Sequence, residues 1–209
     1  MVTTLGELYL RSREALLETE EPQMAGQMAR DLVSTLSGRT QEQFLVDRDR
    51  EASEELVLQV LDGVDRLKRG EPLPYVLGEW TFYGLPMVVS PDVLIPRDDT
   101  CALAELAIHR GLFLEKDPRI LDLCCGSGCI GLAIASRVKD AKVTLADLSM
   151  EALAIAKENT GLNRLGGRGR CVQADATKKA PAFLGKYDMI VSNPPYVPQS
   201  DRAAMHVNV

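Results

Sequence analysis

The second half of the chain alternates short, continuously apolar runs with amphipathic runs, and this alternation limits the fold more than any other feature. The runs "RILDLCC", "AKVTLAD", "GRCVQAD" and "YDMIVSN" are predicted strands, and "GCIGLAIASRV" and "SMEALAIAKENTGLN" are predicted helices between them. Strands that are apolar on both faces are typical of a parallel sheet covered by helices on both sides. The sequence therefore predicts an α/β fold built on a parallel sheet.

The first 70 residues or so have helical periodicity instead. Capping residues precede two of the apolar stretches, at Thr4 and Ser53, and glycines close two of them, at Gly38 and Gly70. The segment "PYVLGEWTFYGLPMVVSPDVLIPR" that follows predicts a β-hairpin that turns near Tyr83-Gly84. We predict a helical domain over residues 1–71, a hairpin linker over 72–98 and a ligand-binding domain over 99–209.

Composition narrows the class of protein. The chain has 209 residues and a formal net charge of −6, which argues against a broad surface for neutralising phosphates but leaves room for a local basic patch. No apolar run reaches the length of about 20 residues that a membrane span needs. The five cysteines are odd in number and partly clustered, so they indicate a reducing, cytoplasmic setting rather than a disulfide framework, and no histidine completes a metal site.

A glycine-rich turn follows the first strand of the predicted sheet, in "LDLCCGSGCIG" from Leu121 to Gly131. Gly126 and Gly128 allow a ligand to approach the backbone closely. Asp147 ends the next strand, where a carboxylate accepts hydrogen bonds from ribose hydroxyls. These features suit a dinucleotide or an adenosine ligand. Asp175 ends the third strand and has two open roles, contact with an adenine amino group or the N-cap of a following helix.

The tetrapeptide "NPPY" follows the fourth strand and lies at the same predicted edge of the sheet. Pro194 and Pro195 restrict the backbone. The Asn193 side chain and the Pro194 carbonyl offer acceptors in fixed directions, and Tyr196 offers a flat ring for stacking. Together these groups can hold a planar group that carries NH₂, with the nitrogen directed at a neighbouring ligand.

"DLCCGSGCIG", Asp147 and "NPPY" together resemble the S-adenosylmethionine-dependent methyltransferases that modify amino nitrogens. That tetrapeptide is shared by adenine-N6 and glutamine-N5 enzymes. The segment "PYVLGEWTFYGLPMVVSPDVLIPRDDT" is similar to the hairpin of the release factor glutamine methyltransferases, which also have an N-terminal helical bundle. The resemblance implies a Rossmann-like class I methyltransferase sheet. It also implies that residues 1–71 recognise the substrate, the glutamine of the GGQ loop in peptide chain release factors.

The resemblance also implies roles for individual residues. Asn193, Pro194 and Tyr196 would act in catalysis, and together with Pro195 they would bind the substrate amide. The cofactor would be bound by Arg97, Asp122, Cys124, Gly126, Gly128, Asp147, Asp175 and Asn193, with Pro96 and Thr100 lining the wall under the hairpin. Cys124 stands where the family more often has glycine, and we expect its side chain to fit only with a negative φ. Cys101 stands where the family often has an acidic residue.

Three other functions stay open at the level of sequence. A glutamine methyltransferase acting on a ribosomal protein would share the sheet and "NPPY", although "LIPRDDT" favours the release-factor group. An adenine-N6 nucleic-acid methyltransferase would have to flip a base and would carry a basic recognition surface, which the net charge disfavours. A protein-binding module without catalysis is the third. Because family members continue beyond "NPPYVPQSD", the resemblance also implies a C-terminally truncated chain whose "YDMIVSN" strand has an unpaired edge.

Overall fold

A computed structural model describes residues 3–195 of the chain. These residues form two compact units that divide at Leu77 and Gly78. The first unit contains five helices, α1 Leu5–Leu16, α2 Pro22–Leu36, α3 Gln41–Val46, α4 Glu54–Lys68 and α5 Leu73–Leu77. The second contains β1 Glu79–Phe82, β2 Leu85–Val88, α6 Asp98–Gly111, β3 Arg119–Leu123, α7 Cys129–Arg137, β4 Lys142–Asp147, α8 Met150–Leu162, β5 Gly169–Gln173 and β6 Met189–Ser192.

Side-chain caps fix where the helices of the first unit begin. The Thr4 hydroxyl accepts a hydrogen bond from the Glu7 amide (3.2 Å), and the Glu7 carboxylate accepts one from the Thr4 amide (3.0 Å). Thr40 and Gln43 repeat this capping box at α3. Ser53 caps α4 through the amide of Leu56 (3.2 Å). Each box satisfies amides that have no partner inside the helix, so the predicted helix starts are confirmed.

The first unit is held together by the apolar faces of α1, α2 and α4. Its largest completely buried side chains are Leu5, Leu8, Leu16, Leu32, Phe44 and Leu67. The Arg48 guanidinium lies over the rings of both Tyr9 and Phe44, 5.3 and 5.7 Å from their centroids. None of the helices that the structure describes is both long enough and apolar enough to cross a bilayer.

The predicted linker differs from the sequence expectation at its start. Its residues Leu73–Leu77 form the short helix α5, and only β1 and β2 form the hairpin, with Phe82 paired to Leu85. The turn lies at Tyr83 and Gly84, as predicted. Both residues have positive φ, 52° and 77°, which gives the primed turn that matches the twist of a two-residue hairpin.

The second unit contains a four-stranded sheet in the order β5-β4-β3-β6. All three neighbouring pairs are parallel, which confirms the predicted α/β fold. Within residues 3–195, β6 pairs with β3 alone, and Ile190 on this outer strand is 62% exposed. The unit is an α/β sheet whose last described strand has an open side.

Helix α7 is buried along almost its whole length against the sheet. A Cβ added at Gly131 would collide with Leu145 Cδ2 and lie 2.9 Å from Asp122 Oδ2. The absence of a side chain at Gly131 therefore lets α7 lie directly on β3 and β4. Gly161 in α8 is also helical, but a Cβ there would meet nothing within 4 Å.

We expect Gly131→Ala to lower the free energy of unfolding by about 2 kcal/mol or more, because the methyl group pushes α7 off the sheet. The matched change Gly161→Ala should raise it by about 0.5–1 kcal/mol, since the helix gains an unstrained alanine. Urea denaturation of both variants measures the difference. Equal effects in the two variants would show that α7 has room to move away from the sheet.

Candidate active site

The strand order places a topological switch point between β3 and β6. From β3 the chain adds β4 and then β5 on one side, and afterwards places β6 on the other. In open α/β sheets, ligands bind outside the carboxyl ends of the strands where the order reverses. The glycine-rich turn follows β3 and Asn193 follows β6, so the two chemistry-bearing stretches flank this switch point.

The glycine-rich turn is held in an unusual backbone conformation. Cys124, Gly126 and Gly128 have φ values of 60°, 53° and 80°. The expectation that Cys124 keeps a negative φ was therefore wrong. A non-glycine residue in the left-handed region costs about 1–2 kcal/mol. This conformation of Cys124 allows the next amide, that of Cys125, to donate a hydrogen bond to the carbonyl of Ala146 in β4 (3.1 Å), which offsets the cost.

Gly126 and Gly128 serve different purposes in the turn. A Cβ at Gly126 would meet no atom of the described residues within 4 Å, so in this part of the chain its backbone faces space that a ligand can enter. A Cβ at Gly128 would lie 3.1 Å from Leu145 Cδ1 and 3.3 Å from Ala156 Cβ. Gly128 is the N-cap of α7, and its small size allows the helix to start close to the sheet. The turn thus has an open backbone face followed by a helix N-terminus, an arrangement that fits a polar ligand.

Asp147, at the end of the neighbouring strand β4, binds the backbone of the glycine-rich turn. Its Oδ2 accepts a hydrogen bond from the Gly126 amide (2.8 Å), and its Oδ1 accepts one from the Ser149 amide (3.1 Å). Each carboxylate oxygen retains a second lone pair. The carboxylate therefore fixes the turn and still has acceptor capacity for hydroxyl groups of a ligand.

Asp122, which sequence analysis assigned to cofactor binding, lies beneath the turn and is completely buried. Its Oδ2 accepts a hydrogen bond from the Gly131 amide (2.8 Å), whereas its Oδ1 has no partner among the described residues. Burial raises the pKa of this carboxyl to about 7, and the nearby Asp147 charge acts in the same direction. In this geometry Asp122 supports α7 and the turn from below, and its contact with a cofactor stays a prediction.

Asp175 lies beyond the end of β5 and is engaged locally. Its Oδ1 accepts from the Thr177 amide (3.0 Å) and hydroxyl (2.6 Å), and its Oδ2 lies 3.0 Å from Lys178 Nζ. These hydrogen bonds lower the pKa of Asp175 to about 2. The residues that follow form a turn and no helix begins there, so Asp175 stabilises a turn and is not a helix N-cap.

Asn193, Pro194 and Pro195 are exposed at the end of β6. The register pairs Ser192 with Leu123, and the Ser192 hydroxyl donates to the Leu123 carbonyl (2.6 Å). Asn193 and Cys124 are the next residues of the two strands, so the asparagine is level with the start of the glycine-rich turn. Tyr196 lies outside the described residues.

The predicted wall under the hairpin, which contains Pro96 and Thr100, is held to the hairpin by the Trp80 side chain. Trp80 Nε1 donates to the carbonyl of Pro96 (3.0 Å), and the Thr100 amide donates to the carbonyl of Arg97 (3.0 Å). Pro96 and Thr100 are buried, whereas Arg97 is exposed at the N-cap of α6. The hairpin and the start of α6 are therefore joined through Pro96.

Asn159 on α8 is a structural residue of the site that sequence analysis missed. It is completely buried, and its Nδ2 donates to the carbonyls of Val88 and Ser127 (both 3.0 Å). Its Oδ1 accepts from the Val88 amide (2.6 Å). One side chain thus ties the hairpin to the glycine-rich turn. The signal in the sequence was a polar residue on the same helical face as Ala152, Ile155 and Ala156.

A parallel sheet with a glycine-rich turn and an NPP segment on either side of its switch point defines an α/β protein of the methyltransferase class. Residues 7–78 match the family described as the PrmC N-terminal domain, and residues 105–208 match the methyltransferase small domain. The chain belongs to the family of the release factor glutamine methyltransferases.

Two curated relatives that bear the name release factor glutamine methyltransferase illustrate the similarity. The one from Chlorobaculum tepidum is 36% identical over 91% of this chain and 66% of its own length. The one from Bordetella pertussis is 47% identical over 63% of this chain and 47% of its own length. The chain thus spans about half to two thirds of the length of these relatives. A solved SAM-dependent methyltransferase from Agrobacterium tumefaciens matches 56% of this chain and 40% of its own, at 22% identity and a TM-score of 0.45.

We expect Asp122→Asn to stabilise the protein in a pH-dependent way. The folded-state pKa of Asp122 is about 7 against an ordinary 3.8, so the native state holds the proton that the unfolded state releases, and stability falls as pH rises between these values. Asparagine has the shape of the neutral carboxyl and does not ionise. The melting temperature of the variant minus that of the parent protein should therefore grow from pH 4 to pH 7 and level off above pH 7. A gain that is constant with pH would contradict burial of a neutral carboxyl.

We expect Asn159→Ala to lower the free energy of unfolding by about 2–3 kcal/mol, because it removes the partners of one buried backbone group at Ser127 and two half-buried groups at Val88. Amide hydrogen exchange at Val88 should accelerate, since Asn159 accepts that hydrogen. The control is Asn163→Ala, whose amide donates to the carbonyls of Pro86 and Asn159 near the surface and should cost under about 1 kcal/mol. Unchanged exchange at Val88 would refute the connection that Asn159 makes between α8 and Val88 of the hairpin.

Proposed function

We propose that this protein transfers a methyl group from S-adenosylmethionine to the side-chain amide nitrogen of a glutamine in a peptide chain release factor. The observation that carries the proposal is the position of Asn193, level with the glycine-rich turn across the β3–β6 pair. A side chain that can hold an amide and a turn that can hold a ligand would then act together at one switch point.

The cofactor half of the site would consist of the glycine-rich turn and Asp147. The backbone at Gly126 is open, and Asp147 retains lone pairs for ribose hydroxyls. Asp122 and Cys124 would shape the turn from within, and Arg97 would lie on the wall under the hairpin. When bound, S-adenosylmethionine supplies a methyl group on a positively charged sulfur.

The substrate half would consist of Asn193 and the Pro194 carbonyl. An amide nitrogen is a weak nucleophile because its lone pair is delocalised, so orientation contributes most of the rate. The nitrogen gains a methyl group and gives up one proton, and an acceptor on each N–H favours the positive charge that develops on it. The two prolines keep these acceptors in place, and Tyr196 would pack beside the amide.

The substrate class is supported by the relatives. Both relatives described above bear the release-factor name rather than that of a ribosomal-protein or adenine methyltransferase. The helical unit would contact the release factor and bring its GGQ glutamine to the site. Cysteines 101, 124, 125, 129 and 171 are all free thiols, which agrees with a cytoplasmic protein.

We expect labelled methyl from S-adenosylmethionine to appear on a purified release factor and not on the variant whose GGQ glutamine is alanine. Asn193→Ala should lower the rate of transfer by about 100-fold or more while cofactor affinity changes little, because the residue acts on the substrate amide. Calorimetric titration of the cofactor gives the second quantity.

The control is Asn163→Ala, which removes an asparagine side chain on α8 outside the proposed machinery. Equal losses of transfer and cofactor binding in Asn193→Ala would overturn the role assigned to Asn193. Cofactor binding by the unaltered chain without transfer to any release factor would refute the methyltransferase proposal in favour of a non-catalytic module.

A further inference from the structure

The amino ends of the strands, opposite the candidate active site, form a strongly basic edge. Four segments lead into β3, β4, β5 and β6 there, residues 110–119, 137–142, 163–168 and 185–188. They contain nine lysines and arginines, namely Arg110, Lys116, Arg119, Arg137, Lys139, Lys142, Arg164, Arg168 and Lys186, against four carboxylates, Glu115, Asp117, Asp140 and Asp188. The whole chain has a net charge of −6, so positive charge is concentrated at this basic edge.

Three of the cations form a row across neighbouring strands. Arg119 is paired with Lys142 in the β3–β4 register. The Val143 amide donates to the Arg168 carbonyl (2.7 Å), and Val143 is paired with Gly169, so Lys142 is also level with Arg168. Parallel strands lie about 4.8 Å apart. Like charges placed side by side on neighbouring strands are unfavourable unless an anion lies among them.

The charges of the basic edge are not neutralised within residues 3–195. None of its nine cations takes part in an ion pair among these residues. The Asp188 carboxylate is close to Arg119, but it accepts a hydrogen bond from the Arg119 backbone amide (2.7 Å) and does not pair with the guanidinium. The Arg119 side chain is held in place by the Leu184 carbonyl (3.3 Å) and by the Tyr187 ring, 5.3 Å from its centroid. Arg119 is thus orientated while its charge remains available.

Two exposed aromatic rings accompany this edge, one inside the segment 110–119 and one just before the segment 185–188. Phe113 is 78% exposed in the connection that enters β3, and Phe183 is 63% exposed in the short helical turn that precedes β6. These strands are neighbours in the sheet. The Phe113 ring also contacts His109, with 5.2 Å between centroids. Exposed rings beside a row of cations are the combination that binds single-stranded nucleic acid, in which cations follow the phosphates and bases stack on the rings.

We propose that the basic edge binds single-stranded RNA or DNA without sequence preference, by its phosphate backbone and by base stacking on Phe113 and Phe183. An acidic protein would also be attracted to the cations, but a level row of cations with rings beside it matches the arrangement in which phosphates and stacked bases are bound together. The ring variant and the competition experiment below separate the two partners. The site is separate from the methyl-transfer site at the opposite ends of the same strands, and nucleic acid is a docking partner there rather than a substrate.

The test is fluorescence anisotropy with a labelled uridine oligomer of about 20 nucleotides, titrated with the full chain at about 50 and about 200 mM salt. The charge variant K139E/K142E/R164E changes exposed side chains that make no hydrogen bond among the described residues. Its control, R11E/R69E/K157E, makes the same change in net charge elsewhere on the surface. The ring variant F113A/F183A removes stacking alone.

We expect the charge variant to bind roughly tenfold or more weakly, with a salt dependence shallower by about 2 in log–log slope, and the control to bind within about twofold of the parent. The ring variant should bind roughly fivefold more weakly with an unchanged salt slope. All variants should retain the parent's melting temperature and S-adenosylmethionine affinity.

Two results would overturn the proposal. The first is equal weakening in the charge variant and its control, which would reduce the effect to net charge. The second is displacement of the oligomer by a polyglutamate peptide at equal charge concentration, together with unchanged oligomer binding in the ring variant. That result would assign the basic edge to an acidic protein. Absence of methyl transfer to a release factor bears on neither result, because this assay contains no substrate protein.

Discussion

The second unit depends on one buried amide. Asn159 is the point at which the hairpin, α8 and the glycine-rich turn meet, and both of its polar atoms are used there. A buried polar side chain is favourable only when its partners are fixed in direction. The amide therefore does more than add stability, because it specifies one position for the hairpin relative to the turn. Trp80 belongs to this hairpin and binds the carbonyl of Pro96, so the position of the hairpin also sets the position of the wall under it.

The glycine-rich turn combines several unfavourable features in a short stretch. Cys124 has a left-handed backbone, and Asp122 is a buried carboxyl group with one oxygen that has no partner among residues 3–195. Burial also raises the pKa of Cys129 to about 12, so that thiol stays protonated and behaves as an apolar side chain. Such features persist where the surrounding structure imposes them, and they concentrate at functional sites. Here the Cys125–Ala146 hydrogen bond, the closely packed α7 and the Asp147 carboxylate hold the turn in this conformation.

Much of the architecture was accessible from the sequence because strand ends, caps and glycines act locally. The edge shared by the glycine-rich turn, Asp147 and Asn193 followed from the rule that parallel strands end together. Two features were inaccessible for physical reasons. The helix α5 was hidden because it is short and contains Tyr75 and Val76, which favour strands, whereas its position is set by packing of Val76 against the helical unit. The positive φ of Cys124 was hidden because the hydrogen bond that imposes it comes from another strand.

The two halves of the candidate site are held by different contacts, and this has a consequence for what each half reports. The glycine-rich turn is fixed between β3 and β4 by the hydrogen bond from the Gly126 amide to Asp147. Asn193 is exposed at the end of β6, which is joined to β3 by the hydrogen bond from Ser192 to Leu123. The contacts that shape one half are therefore separate from those that shape the other. In the reaction proposed for this site, occupancy by the methyl donor would be a poor gauge of catalytic readiness.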